Sequence, residues 1–458
     1  MTRTALHVVG SLAAVLALTT GQAAATPLTN SQIFSQFNAV IFNNFSANSE
    51  VEGRTVVGGN FTGGSNFQTR TGLTASAFGA LSVYGNVTGS GSLNIDNGGS
   101  IALAGSNNAS FNLNSGGSAF IGGSNGGAVT VNGGSGSLSV IGANSGALSL
   151  ASGGSVYVGN GNTANITANG NSTTLGINGN TSGSVSLNNG SRLSLKGSNT
   201  GTIELNGGSL TYTGSAGNVT NANGGSTTKA ARLNLTAPTS TLGSFATTFQ
   251  APLTALSSQL NGVAANSTAS LSNGALTFNA SPNAGGVAVF DVNTSLFSGA
   301  SSVVINLDGA ASVIINVNVD SCVTNVCTFA PTANFQSPTG YASTVLWNFV
   351  NATNLNFTTE FGGSILAPVA TVSNSVSIDG TLVAANDASS SHGELHLYGY
   401  TGTFPGTSGS AGNSTPAPEP ASLALIGSGI AGLAAVRRRR GGGGKGAALD
   451  PQSGRRPL

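Results

Sequence analysis

The chain has 458 residues, 69 of them Gly, and only 6% are charged, against roughly 25% in an ordinary soluble domain, which excludes an average cytosolic enzyme. The formal charge of +1 belongs to the tail, where Arg437, Arg438, Arg439, Arg440, Lys445, Arg455 and Arg456 are concentrated; between Thr26 and Ala417 six basic residues stand against eleven acidic ones. Such a body has no electrostatic footprint for nucleic acid, which needs clustered cations to displace counterions from phosphates.

In chain order, Arg3 precedes an apolar run at 8–18 and the small residues Ala23-Ala24-Ala25, the order of a secretory signal peptide. We expect a signal at 1–25, cleavage after Ala25, and a first group of strands at 26–71. From 72 to 228 the sequence repeats. Short apolar pairs begin at Leu93, Phe111, Val129, Leu148, Ile166, Val185 and Ile203, and a second set begins at Ile101, Phe120, Leu138, Val156, Leu175, Leu193 and Leu210. A period of 18 or 19 residues with two short strands per coil predicts a β-solenoid, in which stacked coils bury a core that none could bury alone. Alternation sends the Leu93/Ile95 and Phe111/Leu113 type pairs inward, while Asn94, Asn112, Thr130, Ser149, Ser186 and Glu204 face water. Gly-rich corners such as Asn97-Gly98-Gly99-Ser100 supply the turns. The two nine-residue halves resemble the calcium-binding β-roll, but Asp96 is the only Asp between Leu73 and Thr228. Without carboxylates the turns cannot cage calcium, so no calcium ladder is expected.

A linker and capping helix follow at 229–268: Phe245, Phe249, Leu253, Leu256 and Leu260 form one helical face near 242–263, with Ser244 as cap, Asn261-Gly262 as stop and Pro252 as a source of a kink or late start. Strands return over 269–402, at 287–292, 302–307, 312–319, 343–350, 364–366 and 375–384. The fold class expected is all-β, a β-solenoid with 18-residue coils, one packed helix and a C-terminal β region. Cys322 and Cys327 are expected to close a small disulfide loop in an exported protein; zinc is the alternative, for which one pair supplies only two ligands and His392 and His396 lie far along the chain.

After a linker at 403–417 come Pro418-Glu419-Pro420, an uncharged run at 421–436, Arg437-Arg438-Arg439-Arg440, and a tail at 441–458. Sixteen residues at 1.5 Å each rise roughly 24 Å, marginal for a hydrocarbon core of about 30 Å. The triplet, span and Arg cluster closely resemble the PEP-CTERM sorting signal of exopolysaccharide-producing Gram-negative bacteria. The resemblance implies transient contact with the inner membrane, cleavage near the triplet by an exosortase and delivery to the cell surface or extracellular matrix; the tail after the arginines is longer than that family's. The formal G-x-G-x-x-G at Gly427, Gly429 and Gly432 follows no strand and has no acidic ribose ligand about twenty residues on, so it is read as small residues in a membrane span.

Several segments also resemble the choice-of-anchor A family of bacterial surface proteins: Phe37-Asn38-Ala39-Val40, Val51-Glu52-Gly53-Arg54, Val57-Gly58-Gly59-Asn60, Leu256-Ser257-Ser258-Gln259-Leu260, Ile314-Ile315-Asn316-Val317, Val345-Leu346-Trp347-Asn348-Phe349, Gly363-Ser364-Ile365-Leu366-Ala367-Pro368, and Gly393-Glu394-Leu395-His396 ending at Tyr400-Thr401-Gly402. Val369 and Gly399-Tyr400 depart from that family's pattern. The repeat then reads as an insertion between the family's first strands and its helix, and the resemblance implies a β-helical, adhesin-like surface domain.

Chemistry is sparse. Glu394 and His396 share a strand face and could form an acid/base or metal pair, though an ion pair fixing the last strand is the better reading. Glu50 and Glu52 also share a face, with Arg54 expected to compensate them. The match of Gly122-Gly123-Ser124-Asn125-Gly126 to a nucleophile elbow lacks the strand-turn-helix context and a later Asp and His. Trp347 is the only Trp, and Tyr157 is isolated, so no carbohydrate-stacking platform is expected. The Asn-x-Ser/Thr triplets are read as turn chemistry. We expect neither cofactor, resident metal nor catalysis. The leading reading is a surface or matrix protein that associates with extracellular polysaccharide or other cell surfaces through avidity. An ice- or crystal-surface-binding solenoid is the alternative, against which the mixed outward row speaks. An extracellular polysaccharide-active enzyme, which needs paired carboxylates in a groove, comes last.

Overall fold

The computed structural model describes residues 28–405 apart from 135, 241 and 389–392. Each coil of the repeat makes two main strands and a narrow third corner. Ile101–Leu103 belongs to a 22-stranded sheet, Asn107 turns the corner, and Ser110–Asn114 joins a 13-stranded sheet before the chain steps to Ala119–Ile121. Leu93, Phe111, Val129, Leu148, Ile166, Val185 and Ile203 pair in one parallel register, as the sequence period predicts. The second set differs at one coil: Ala119, not Phe120, pairs with Ile101 and Leu138, and Phe120 faces out beside Ala102 and Ser139. All three residues of Ala119-Phe120-Ile121 are apolar, so alternation alone could not choose the inward pair.

The inward side chains of both sets are buried. Each is worth about 1.5–3 kcal/mol when removed from water, but only because coils above and below cover it. Corners stack as tightly as strands: a Cβ on Gly105 would lie 2.4 Å from the Gly85 carbonyl oxygen, and one on Gly179 would lie 1.6 Å from that of Asn160. Glycine at these columns is a packing requirement.

The coils do not stack in sequence order. The first described residues lie in the middle of the solenoid. Helix α1 (Asn30–Gln36), capped by Thr29 and Gln32, leads into strand Phe37–Ile41, which lies between Arg54–Val57 on one side and Leu382–Asp387 on the other. From there one limb climbs through the repeat to Asn218–Ala222 and Ser226–Lys229. The chain then returns along the outside, with Leu235 over Gly176 and the Phe245 ring 5.3 Å from Tyr84. A second limb starts at the opposite end and runs through Val287–Asn293, Ser312–Asn318, Val345–Phe349 and Ser364–Asn374 to Leu382–Asp387, all parallel. In the 13-stranded sheet the same seam is made by Leu395–His396, between Glu50–Val51 and Ile378–Asp379. The strand expected at 375–384 is instead two, Ile378–Asp379 and Leu382–Asp387, in different sheets. Gly380, at φ 157°, stands between them, where a Cβ would meet the Gly363 backbone.

The helical face seen in the sequence packs on the outside of the 22-stranded sheet. It opens with a π-turn, Ala246–Gln250, and continues as α2 (Ala251–Asn261). Pro252, expected to bring a kink or a late start, has no N–H to donate back along the helix, and the turn before it is a π-turn, with helical backbone already in place from Ala246. Phe249, Leu253, Leu256 and Leu260 bury against Val40, Ile314, Leu346, Leu366 and Val383. Both solenoid ends are closed by polar groups. Asn221 and Thr227 stand where Leu205 and Leu210 stand one coil earlier, and at the other end Asn266 and Ser267 take backbone bonds on Val287 and Val289. Such caps remove apolar surface from the two ends.

Candidate adhesive face and the seam cluster

The 22-stranded sheet is covered on part of its outer side by α2 and the returning segment. Among the described residues, no such cover lies on the 13-stranded sheet. Its outward central row reads Asn66, Asn94, Asn112, Thr130, Ser149, Thr167, Ser186, Glu204 and Thr220 along the axis. Neighbouring coils bond through these side chains: Asn94 Nδ2 donates to Asn66 Oδ1 at 2.7 Å, and Asn112 Nδ2 to Asn94 Oδ1 at 2.8 Å. A second row repeats the pattern, Asn114 to Asp96 and Asn188 to Asn169, each at 2.8 Å. Amides and hydroxyls thus stand on a lattice of about 4.8 Å between coils and about 6.7 Å along a strand.

The third corner holds a feature that reading Asn as turn chemistry missed. Asn107, Asn125, Asn144 and Asn162 are buried one above another; Nδ2 of each of the first three donates to Oδ1 of the next at 2.7–2.8 Å, and Asn162 Nδ2 donates to Thr181 Oγ1 at 3.1 Å. Each Nδ2 also donates to the carbonyl two residues ahead. The signal was present in the sequence, since these residues recur at 18 or 19.

At the seam, Glu394 and His396 face the same side as predicted, and Glu394 Oε2 lies 3.1 Å from His396 Nε2. The stronger partner is Asp379 on the adjacent strand, fully buried, 2.7 Å from His396 Nδ1. Burial of the imidazole opposes protonation, but the bonds to Glu394 and Asp379 and the Asp379 charge outweigh it, holding the pKa above its ordinary 6.5. Glu360 is raised by burial and by Asp379, and the Tyr341 hydroxyl is raised by burial and by both acids. Glu52 Oε2 accepts from Leu397 N at 2.7 Å, and its partner cation is Arg70 at 3.4 Å. Arg54, expected to compensate Glu50 and Glu52, instead donates to the Thr74 carbonyl at 2.6 Å, because its strand joins the other sheet. Glu50 accepts from Thr69 Oγ1. Between Glu50 and Glu394 lies an open polar groove of about 350 Å³, lined also by Asn48, Asn66, Ser92 and Asn94.

Cys322 and Cys327 are bonded across a hairpin, with S–S 2.03 Å. Ser124 sits at a solenoid corner and donates from its backbone to Ser106 Oγ. Among the described residues no three His, Cys, Asp or Glu side chains are placed to hold a metal, and no helix is long and apolar enough to cross a membrane. Ala25, His392, Pro418, Glu419, Pro420 and Arg437 to Arg440 lie outside the described residues.

The family-like segments noted in the sequence prove to be buried pins. Asn38 Nδ2 donates to the Gly380 and His396 carbonyls, and its Oδ1 accepts from Gly53 N. Asn348 bonds Ser257, Asn316 Nδ2 reaches the Leu260 carbonyl, and Trp347 Nε1 donates to the Gly362 carbonyl at 2.9 Å. Tyr400, raised to about 12 by burial, bonds Ser312.

A long, nearly uncharged parallel solenoid with one bare sheet of repeating amides and hydroxyls, on a chain ending in a sorting signal, defines a class: surface-sorted, adhesin-like proteins. The chain belongs to the ice-binding-like adhesive domain family, which matches residues 30–163 and 114–397, and it carries a PEP-CTERM protein-sorting motif at 416–440. That motif marks the protein for export and surface sorting by an exosortase-type system. Among solved structures, the chain is similar to the tapirin C-terminal domain of Caldicellulosiruptor kristjanssonii, at 12% identity and TM-score 0.27 over 78% of this chain and 94% of that one. It is also similar to a possible adhesin C-terminal domain from Caldicellulosiruptor kronotskyensis, at 15% identity and TM-score 0.23 over 79% and 94%. No curated protein matches.

Proposed function

We propose that the protein is a non-catalytic adhesin of the outer surface or exopolysaccharide matrix of a Gram-negative bacterium, and that the bare 13-stranded face is its binding surface. The observation that carries this reading is the row Asn66 to Thr220: hydrogen-bonding groups, neutral except for Glu204, repeated at fixed spacing, on the sheet without a covering helix. Such a face makes many equivalent, individually weak bonds to a polyhydroxylated polymer, and retention comes from their number. The choice-of-anchor A resemblance fits an adhesive body joined to an interchangeable anchor, here the PEP-CTERM signal, with exosortase as processing partner. The domain division at 26–71, 72–228, 229–268 and 269–402 is part of the same proposal, the repeat being the lengthened portion of the binding wall. An ice- or crystal-binding face is disfavoured by the alternation of Asn, Thr, Ser and Glu along the row, which offers no uniform array.

The test uses cells producing the full chain, a chain lacking 418–440, and a full chain with Thr130→Lys and Thr167→Lys. The reading expects clumping and polysaccharide retention only in the first, loss of surface attachment in the second, and surface display without retention in the third. Retention unchanged by the two lysines would refute the assignment of the face.

A further inference from the structure

The fold sorts the few charged side chains along the solenoid axis. No Lys or Arg occurs between residues 233 and 405. At the end of the first limb Arg192, Lys196, Lys229 and Arg232 are all exposed, and the stretch 192–232 holds one acid, Glu204. Lys229 stands on the outermost strand, Ser226–Lys229, whose only strand partner is Ser209–Tyr212. Arg192 lies two coils in, through Ser209, roughly 10 Å at strand spacing. The other limb ends in Asp291, Asp308 and Asp320, all exposed, with no cation anywhere in 268–320. Asp291 stands on the outermost strand there, Val287–Asn293, which pairs only with Ser312–Asn318. Asp320 lies one coil inside and accepts from Thr294 Oγ1 at 2.8 Å, while Asn318 Nδ2 donates to Asp291 at 2.9 Å.

We propose that these two ends are docking surfaces for a second copy of this chain, joined head to tail so that the basic end of one solenoid meets the acidic end of the next. Strand direction permits the contact. Ser226–Lys229 and Val287–Asn293 are the two outer strands of one sheet that is parallel throughout between them, so a copy translated along the axis offers its Val287–Asn293 edge to Ser226–Lys229 in the sense already used at every coil. Part of the acidic edge is occupied: Asn266 and Ser267 bond Val287 and Val289, and strand Thr268–Ser272 closes the small sheet beside it in antiparallel fashion. The free portion is the stretch from Phe290 to Asn293, which carries Asp291. Because the last coil places Asn221 and Thr227 where apolar residues stand below, the joint buries little apolar surface and depends on charge. Charge also selects orientation, since basic against basic and acidic against acidic repel. A contact of this kind does not close on itself, so it extends into rows, favoured where copies are crowded on a surface.

Sedimentation velocity of the purified mature protein at about 0.1 mM, in 20 mM and in 500 mM salt, tests the idea. The expected result is species larger than the monomer at low salt that disappear at high salt, where the screening length falls to a few ångströms. Lys229→Glu with Arg232→Glu, and separately Asp291→Lys with Asp308→Lys, should each lower the association constant at least tenfold. Combining all four should restore it. These side chains are exposed, so circular dichroism should show each variant folded. A monomer at every concentration in low salt, association indifferent to the reversals, or no rescue in the fourfold variant would overturn the proposal. None of these outcomes depends on what the adhesive face binds.

Discussion

Replacing Asn144 by Ala tests whether the buried amide column holds the coils in register. Asn144 is 1% exposed; its Nδ2 donates to Asn162 Oδ1 at 2.7 Å and to the Gly146 carbonyl at 2.8 Å, and its Oδ1 accepts from Asn125 Nδ2 at 2.8 Å. Alanine leaves Asn162 Oδ1 and the Gly146 carbonyl without these donors, while Asn125 Nδ2 keeps its bond to the Gly127 carbonyl. At about 1–3 kcal/mol for each buried group left unpaired, the cost is roughly 2–6 kcal/mol. A solenoid need not unfold as one unit, so the fitting assay is native-state hydrogen exchange read by coil. Amides of the strands at 129–132, 148–150 and 166–168 should exchange about 30- to 20,000-fold faster, at 1.4 kcal/mol per tenfold, with the seam strand Phe37–Ile41 little changed. Ser149→Ala, on the outer face of the same coil, should move exchange by less than about threefold. If Asn144→Ala behaves like Ser149→Ala, the column is incidental to stability.

Three further outcomes follow from the geometry. Gly179→Ala should disrupt its corner, because the new Cβ would lie 1.6 Å from the Asn160 carbonyl oxygen; a melting curve like that of the parent would contradict the packing described. Loss of the Cys322–Cys327 bond, which closes a loop of sequence separation 5, should cost about 2 kcal/mol by chain entropy and show as faster exchange in the hairpin alone. His396 and Glu360 both have raised pKa values, so the folded seam binds more protons than the unfolded chain. Their stabilisation is complete below the ordinary values of 4.5 for Glu360 and 6.5 for His396 and is lost as pH rises through the folded values. Exchange at Leu395 and His396 should accelerate from acid toward neutral and alkaline pH beyond the intrinsic pH dependence of amide exchange. The same profile in Asp379→Asn would contradict the assignment.

The repeat was legible in the sequence because burial imposes its period directly: every coil needs two inward apolar pairs, and the spacing of 18 or 19 follows. Phe120 was misplaced because its neighbours Ala119 and Ile121 are apolar too, and only the strands above and below decide which of them face in. The Asn107 column shares the period and was readable in principle, but corner Asn residues abound and most of them serve turns. The order of assembly was not legible. Nothing local in Phe37–Ile41 says that one of its two neighbours is Leu382–Asp387, because that pairing is settled by how two finished limbs meet. The same distance effect misled the reading of Arg54: it follows Glu52 closely in sequence, yet its strand turns into the other sheet, and Arg70 supplies the cation.

The seam has a further structural role. Both described ends of the chain meet there: the ring of Phe34 in α1 lies 6.2 Å from Tyr400 and 5.7 Å from Phe404. The last described residues therefore lie at the middle of the solenoid, with a limb extending to either side. Asn38 is the side chain that ties this junction, bonding segments 15, 342 and 358 residues away in sequence. Asn38→Ala leaves Gly53 N and the Gly380 carbonyl without that partner, at about 1–3 kcal/mol for each that stays buried and unpaired, while the His396 carbonyl keeps its bonds from Gly380 N and Tyr398 N. The loss falls on the last described strand, which is only two residues long and is otherwise held by its two strand neighbours, the His396 bonds to Asp379 and Glu394, and the bond from Leu397 N to Glu52. Limited proteolysis should then cut at 397–405 well before any site in the repeat, whereas in the parent protein these residues should resist cleavage alongside the first limb. An unchanged order of cleavage would mean that Phe34, Tyr400 and Phe404 suffice to close the seam without the amide.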